Sequence, residues 1–305
     1  MLYWYDDMMI NLEKQGYLAP VVGKRLRSCD IRHHDSGEHM AIGLSTYAFF
    51  WRGSTRMQTP MTLEDMLEET AELGGAVLQI CDYAAVETFD DARLTELSRH
   101  AKALGITLEL GTRGLNLAHI ERYLQIAERL GVSMLRSMCH SGEDHPDDAD
   151  AIRRIEALLP QLENQGVVLA LETYEQIPLN RLMNVIETVD SPHLGICLDP
   201  ANCVAALEIP QQVIERSAER VVNLHIKDFA FTRSPAWVGF QLIGAPLGEG
   251  LLPFDDMMAR LQPAARRINC IIEHWLPWQH DSVTTHDTET RWTRHGINLL
   301  RNRHG

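Results

Sequence analysis

Val167-Val168-Leu169-Ala170-Leu171-Glu172 is followed by Leu194-Gly195-Ile196-Cys197-Leu198-Asp199, then Val221-Val222-Asn223-Leu224-His225, then Ile271-Ile272-Glu273. Four short apolar runs thus each end in a residue type that ligates metals. One carboxylate after one strand-like run carries little information. Three carboxylates and an imidazole at the ends of four separate runs describe one polar site at the mouth of a parallel barrel.

Outward from these runs the chain alternates. Apolar residues recur at helical spacing over 63–73, 94–104, 120–130, 149–164, 179–189, 209–218, 254–261 and 288–301. Short apolar runs lie between them, and Gly74-Gly75, Gly105, Gly131 and Gly166 separate a helical stretch from the strand that follows. With a first strand over 40–45 the count reaches eight strands, each followed by a helix. Repeated helix–Gly–strand units imply right-handed crossovers and a parallel sheet. Residues 40–305 match the length of about 250 residues usual for a (β/α)8 TIM barrel. A doubly wound open sheet is the structural alternative, but the turn after the first strand, Ser45-Thr46-Tyr47-Ala48-Phe49-Phe50-Trp51, has no Gly-rich phosphate fingerprint. The expected fold is therefore an α/β TIM barrel over 40–305 behind a short N-terminal extension, 1–39. That extension reads as a short helix over 5–15, a basic patch (Lys24, Arg25, Arg27) and a His-rich polar tract over 32–39. The tract reads as a solvated linker and the extension as dispensable.

Composition narrows the partners. Twenty-eight basic residues face 42 acidic ones, a formal net charge of −14, and an acidic chain repels phosphodiester backbones. Nucleic acid is not an expected partner. Hydrophobic content of 45% is ample for a core. No apolar stretch reaches the ~20 residues of a membrane helix, and the start, Met-Leu-Tyr-Trp-Tyr-Asp-Asp, is not a secretory leader. The six cysteines (Cys29, Cys81, Cys139, Cys197, Cys203, Cys270) contain no CxxC pair and read as buried reduced thiols. A cytoplasmic protein without membrane partners is expected.

On a barrel, Glu172, Asp199, His225 and Glu273 surround one mouth. A divalent cation explains why three carboxylates share that space, since without one, repulsion raises a carboxyl pKa. Oxygen-rich ligation with one imidazole suits Mn²⁺, Mg²⁺ or Co²⁺ and is compatible with Zn²⁺. Arg113 follows the third strand and Arg136 ends the fourth; two guanidinium groups at the mouth suit a substrate phosphate or carboxylate, the alternative being pairing with the site's own acids. Lys227 and Asp228 read as residues orienting His225 or a substrate oxygen, or as a structural ion pair. Trp275, with Tyr47, Phe49, Trp51 and Trp278, reads as a wall for apolar sugar faces. The stretch 231–250 reads as a long βα loop able to act as a lid.

The segments Ala170-Leu171-Glu172-Thr173, Cys197-Leu198-Asp199-Pro200-Ala201-Asn202, Val222-Asn223-Leu224-His225-Ile226-Lys227-Asp228 and Ile271-Ile272-Glu273-His274-Trp275 resemble the xylose-isomerase-like barrel family of sugar-phosphate isomerases and epimerases. The resemblance covers about residues 42–301. It implies one divalent metal held by the four strand-end residues, with Glu172 and Glu273 also acting as acid and base on opposite sides of a substrate carbon. The function expected is metal-dependent isomerisation or epimerisation of a sugar, keto-sugar or sugar phosphate through an enediolate. A lyase or dehydratase of a keto-cyclitol or keto-sugar on the same barrel is the alternative. The resemblance also allows a homo-oligomer, although no interface patch is legible.

The chain departs from the family pattern in two places. Gln79 stands where many relatives carry Glu, and Asn202 stands where many epimerases carry His. The second puts epimerase-type substrate contacts in doubt, although Asn202 can still bond a hydroxyl. Abasic-site endonucleases of the same barrel need more ligands than this chain shows around Asn202 and Phe229-Ala230-Phe231. A merely sugar-binding protein has no use for an opposed pair of glutamates.

Overall fold

The computed structural model describes residues 41–234 and 237–304. The expected helix over 5–15, the basic patch and most of the polar tract fall in 1–40, outside the described residues. Eight parallel strands close into a barrel: β1 (Ile42–Ser45), β2 (Val77–Cys81), β3 (Thr107–Gly111), β4 (Met134–Ser137), β5 (Val168–Glu172), β6 (Leu194–Leu198), β7 (Val221–Ile226) and, after the hairpin strands β8 (Asp228–Arg233) and β9 (Phe240–Ala245), β10 (Asn269–Ile272). β10 pairs with both β1 and β7, which closes the ring. The strands read as unbroken apolar runs because both of their faces are covered, by helices outside and by the opposite wall inside.

Each helix begins and ends for a local reason. Helix Leu63–Glu72 opens with a capping box in which Thr62 and Asp65 satisfy each other's backbone N–H groups. Asp90, Asn116 and Asp147 cap helices Asp91–Ala103, Leu117–Leu130 and Asp148–Gln165. Gly131 and Gly166 end the last two at φ of 72° and 65°, a backbone that residues with a Cβ rarely adopt. The remaining helices of the outer ring are Leu179–Val189, Pro200–Ala205, Pro210–Ser217, Phe254–Leu261, Pro263–Arg266 and Ser282–His304. Helix Ser282–His304 starts six residues before the stretch expected from periodicity; its Glu289, fully buried, accepts from the backbone N–H groups of Trp51 (2.8 Å) and Arg52 (3.0 Å) and pairs with the Arg52 guanidinium.

The stretch 231–250 is not an irregular loop. β8 and β9 form an antiparallel hairpin in register from Asp228 opposite Ala245 to Arg233 opposite Phe240. Asp228 makes this possible. Its carboxylate accepts four backbone N–H groups, those of Phe229, Gly248, Gly250 and Leu252, at 2.8–3.0 Å, and so ties both ends of the excursion to the barrel rim. It is a structural staple and makes none of its bonds to His225. No helix among the described residues is long and apolar enough to cross a membrane.

Candidate metal centre

Parallel strands all end at one rim, so the last residues of β5, β6, β7 and β10 share a mouth. Glu172 is the final residue of β5, and Asp199 follows β6. His225 is the penultimate residue of β7, and Glu273 follows β10. All four are buried. The geometry brings them together around one atom: His225 Nδ1 lies 3.7 Å from Glu172 Oε1, 3.9 Å from Asp199 Oδ2 and 3.6 Å from Glu273 Oε1. These separations are too long for hydrogen bonds. Glu172, Asp199 and His225 each offer one ligand atom within 4.8 Å of the others.

A divalent cation fits this donor set. Glu172 Oε2, Asp199 Oδ2, His225 Nδ1 and Glu273 Oε1 are buried atoms without a hydrogen-bond partner, one from each residue. Such atoms are rare in folded proteins and call for a ligand. Two of them have a cation close by. Arg136 Nη2 pairs with Glu172 Oε2, and Lys227 Nζ stands 2.7 Å from Asp199 Oδ2, in each case close enough for an ion pair but without hydrogen-bond alignment.

The local chain holds each donor. Asp199 is the N-cap of helix Pro200–Ala205, with Pro200 at the first helical position; its Oδ1 accepts from Ala201 N (3.0 Å) and Asn202 N (3.3 Å), which leaves Oδ2 for the centre. Asn202 donates from Nδ2 to Glu172 Oε1 at 2.7 Å and so bonds a site carboxylate. Thr173 clasps β5 to β6: its Oγ1 accepts from Asp199 N (2.8 Å) and donates to Asp199 O (3.0 Å). Thr173→Val keeps the shape and leaves that buried N–H unpaired. It is expected to lower unfolding free energy by about 1–3 kcal/mol, read by urea denaturation. An unchanged midpoint would show that the clasp contributes nothing.

Electrostatics follow from burial and pairing. Burial opposes ionisation of Glu172, but Arg136 and His225 outweigh it and hold the carboxyl well below its usual range. Glu273 behaves the same way, lowered against burial by His225 and Lys227. Asp199 is raised, burial prevailing over Lys227. Burial lowers the pKa of Lys227, but Asp199 and Glu273 more than offset it and keep the ammonium charged. Lys227 also donates to Glu273 Oε2 at 3.0 Å and lies 4.7 Å from the centre of the Trp275 ring.

The two arginines occupy different positions. Arg136 is buried beside the centre and bonded to Thr112 O at 2.8 Å, so its guanidinium serves the site's own acid. Arg113 is half-exposed at the rim and bonds Asp82 Oδ2 (2.9 Å) and the Tyr47 hydroxyl (2.8 Å). Asp82 also faces Arg136 at 3.4 Å and adopts φ of +50°, a strained backbone of the kind found at functional sites. Phe49, expected in a pocket wall, is fully buried in the hydrophobic core, while Trp51 and Trp278 meet edge to face at 5.2 Å.

Sequence reasoning does not single out Asp82, Thr173 or the layer beneath the centre. In that layer Gln79, Glu109, Asn223 and Asn269 bond one another inside the barrel. The available signal is spacing. Asn223 and His225, like Asn269 and Glu273, lie an even number of residues apart and face the same side of their strands.

Fold and site define a (β/α)8 barrel with an acidic and imidazole cluster at its C-terminal mouth. The chain belongs to the xylose isomerase-like TIM barrel family, whose model matches residues 67–303. It is 53% identical over 261 residues to a 3-oxo-isoapionate decarboxylase from Pectobacterium atrosepticum, covering 86% of this chain and 95% of that one. Among solved structures it resembles a D-psicose 3-epimerase from Clostridium cellulolyticum H10 (TM-score 0.66, 14% identity, 86% of this chain and 99% of that one). It also resembles a xylose isomerase-like TIM barrel protein from Mycobacterium smegmatis in complex with magnesium (TM-score 0.61, 16% identity, 86% and 98%). At those identities the two structures bear on the fold alone.

Proposed function

We propose that the protein is a metal-dependent decarboxylase of a polyhydroxylated 3-oxo acid, with residues 40–305 as the catalytic unit. The observation that carries this reading is the pairing of both glutamates with buried cations, Glu172 with Arg136 and Glu273 with Lys227. An epimerase or isomerase needs a carboxylate free to take an α proton. Decarboxylation forms the same kind of enolate by loss of CO2, so no base is required. Charge points the same way. Three carboxylates balanced by Arg136, Lys227 and a dication leave one net positive charge, which suits a substrate carrying one carboxylate. The identity to the Pectobacterium decarboxylase supports the same chemistry.

Glu172, Asp199, His225 and Glu273 hold the ion in this reading, and Mn²⁺, Mg²⁺, Co²⁺ and Zn²⁺ are all compatible with the donors. When bound, the ion supplies Lewis-acid polarisation of the substrate ketone. The bond between the α carbon and the carboxylate breaks, its electron pair passes into the ketone to give an enolate, and CO2 leaves. One proton then returns to that carbon. Lys227, charged and pointed into the centre, is the proton donor, and its stem packs on Trp275, which covers one side. Arg136 and Asn202 fix the orientation of Glu172, and Arg113 at the rim receives the entering carboxylate.

The test is incubation of the purified protein and a divalent ion with 3-oxo-isoapionate in D₂O. CO2 release matched by one deuterium in the product is expected. Deuterium entering intact ketoses or ketose phosphates without CO2 release would instead favour the isomerase or epimerase reading drawn from sequence.

A further inference from the structure

The polar layer beneath the centre has a direction. Glu109 is buried inside the barrel and receives three amide donors: Asn269 Nδ2 at 2.6 Å on Oε1, and Gln79 Nε2 at 3.0 Å and Asn223 Nδ2 at 2.9 Å on Oε2. A carboxylate only accepts, so it turns the nitrogen of every amide around it inward. The second donor contact of Gln79 Nε2 is Asn223 Oδ1 at 3.2 Å, so both of its hydrogens are used. Gln79 Oε1 is then the atom left to face outward, and it meets His225 Nε2 at 2.8 Å. A carbonyl oxygen cannot donate. The His225 proton therefore sits on Nε2, and the Nδ1 lone pair points at Glu172, Asp199 and Glu273.

The geometry points to Glu109 and Gln79 as positioning residues that select the metal-binding tautomer of His225 through a one-way hydrogen-bond relay. Neither residue touches the centre's carboxylates. Asn223 completes the relay by fixing the Gln79 amide from a second side, and Cys197 Sγ lies 3.5 Å from the same Asn223 oxygen. Groups that orient the far nitrogen of a metal-binding histidine typically change metal affinity about 10–100-fold when altered. The relay also gives Gln79 a task at a position where the sequence departs from its relatives: a glutamine reports the Glu109 carboxylate to the imidazole as a fixed acceptor, without adding a charge.

The inference rests on the metal-centre reading, so its test has an arm that needs no metal. In Glu109→Gln the new amide must donate to one of its neighbours or leave a hydrogen unpaired. The Gln79 amide is then free to reverse and offer N–H to His225, which moves the ring proton to Nδ1. Calorimetric titration with Mn²⁺ is expected to give a Kd about 10–100-fold weaker for Glu109→Gln and for Gln79→Leu than for the wild type. Leu97→Ala, a core change on helix Asp91–Ala103, should lower the melting temperature and leave Kd in place. The metal-free arm is the ¹⁵N-imidazole spectrum of the wild type and Glu109→Gln, taken at a pH where the ring is neutral. The wild type should carry its proton on Nε2, and Glu109→Gln should shift population to Nδ1. A wild-type proton on Nδ1, or a folded Glu109→Gln with unchanged Kd and tautomer, would overturn the relay. A wild type that shows the Nε2 tautomer but takes up no ion would overturn the metal centre and leave the relay standing.

Discussion

Asp199→Asn is expected to abolish metal uptake and lower kcat/KM by at least about 10³-fold, about 4 kcal/mol of transition-state stabilisation, while the fold survives. Asp199 does two jobs with two oxygens. Oδ1 caps helix Pro200–Ala205, and Oδ2 faces the centre. Asparagine is as good an N-cap as aspartate, and the cap requires its oxygen. Its NH₂ group must then take the other position, aimed at Lys227 Nζ and at the ion. The substitution removes a charge and points a donor at two cations, leaving the local backbone unchanged. Metal titration, steady-state kinetics and thermal unfolding measured together separate these effects. Near wild-type activity with full metal occupancy would show that Oδ2 is not part of the grip.

Lys227→Met is expected to lower kcat by about 10²–10⁴-fold, the range for loss of a positioned proton donor, with the ion retained. Methionine matches the length of the stem and keeps the contact with Trp275. What disappears is the ammonium between Asp199 Oδ2 and Glu273 Oε2. Removing a positive charge beside a cation site should tighten metal binding, so weaker activity with stronger metal affinity is the distinguishing pattern. A raised KM with unchanged kcat would confine Lys227 to substrate binding.

Much of this architecture is legible in the chain because a parallel barrel converts sequence position into place. Glu172, Asp199 and Glu273 each close an apolar run, and strand ends share a rim whatever lies between them. Helix punctuation at Gly131 and Gly166 is equally direct, since a positive φ is what the residue type permits. The Glu109 layer is harder to read. Its members come from four strands whose register no local pattern reports, and Gln79 presents as a departure from relatives because its partners Asn223 and His225 lie 144 and 146 residues away. The hairpin of β8 and β9 is hidden for another reason. Its register is set by the Asp228 carboxylate gathering N–H groups as far as Leu252, a long-range staple that the alternation of side chains does not announce. Arg136 shows the limit of residue type as a guide. A guanidinium at a strand end suits a substrate anion or a neighbouring acid equally, and only burial beside Glu172 decides.

The central claim is that Glu172, Asp199, His225 and Glu273 grip one divalent ion. Anomalous diffraction at the manganese edge, from crystals grown with Mn²⁺, tests it directly. A single strong peak ligated by His225 Nδ1 and by an oxygen from each of the three carboxylates is the predicted result. A peak bound elsewhere, or a mouth in which those four side chains share no common atom, would contradict it.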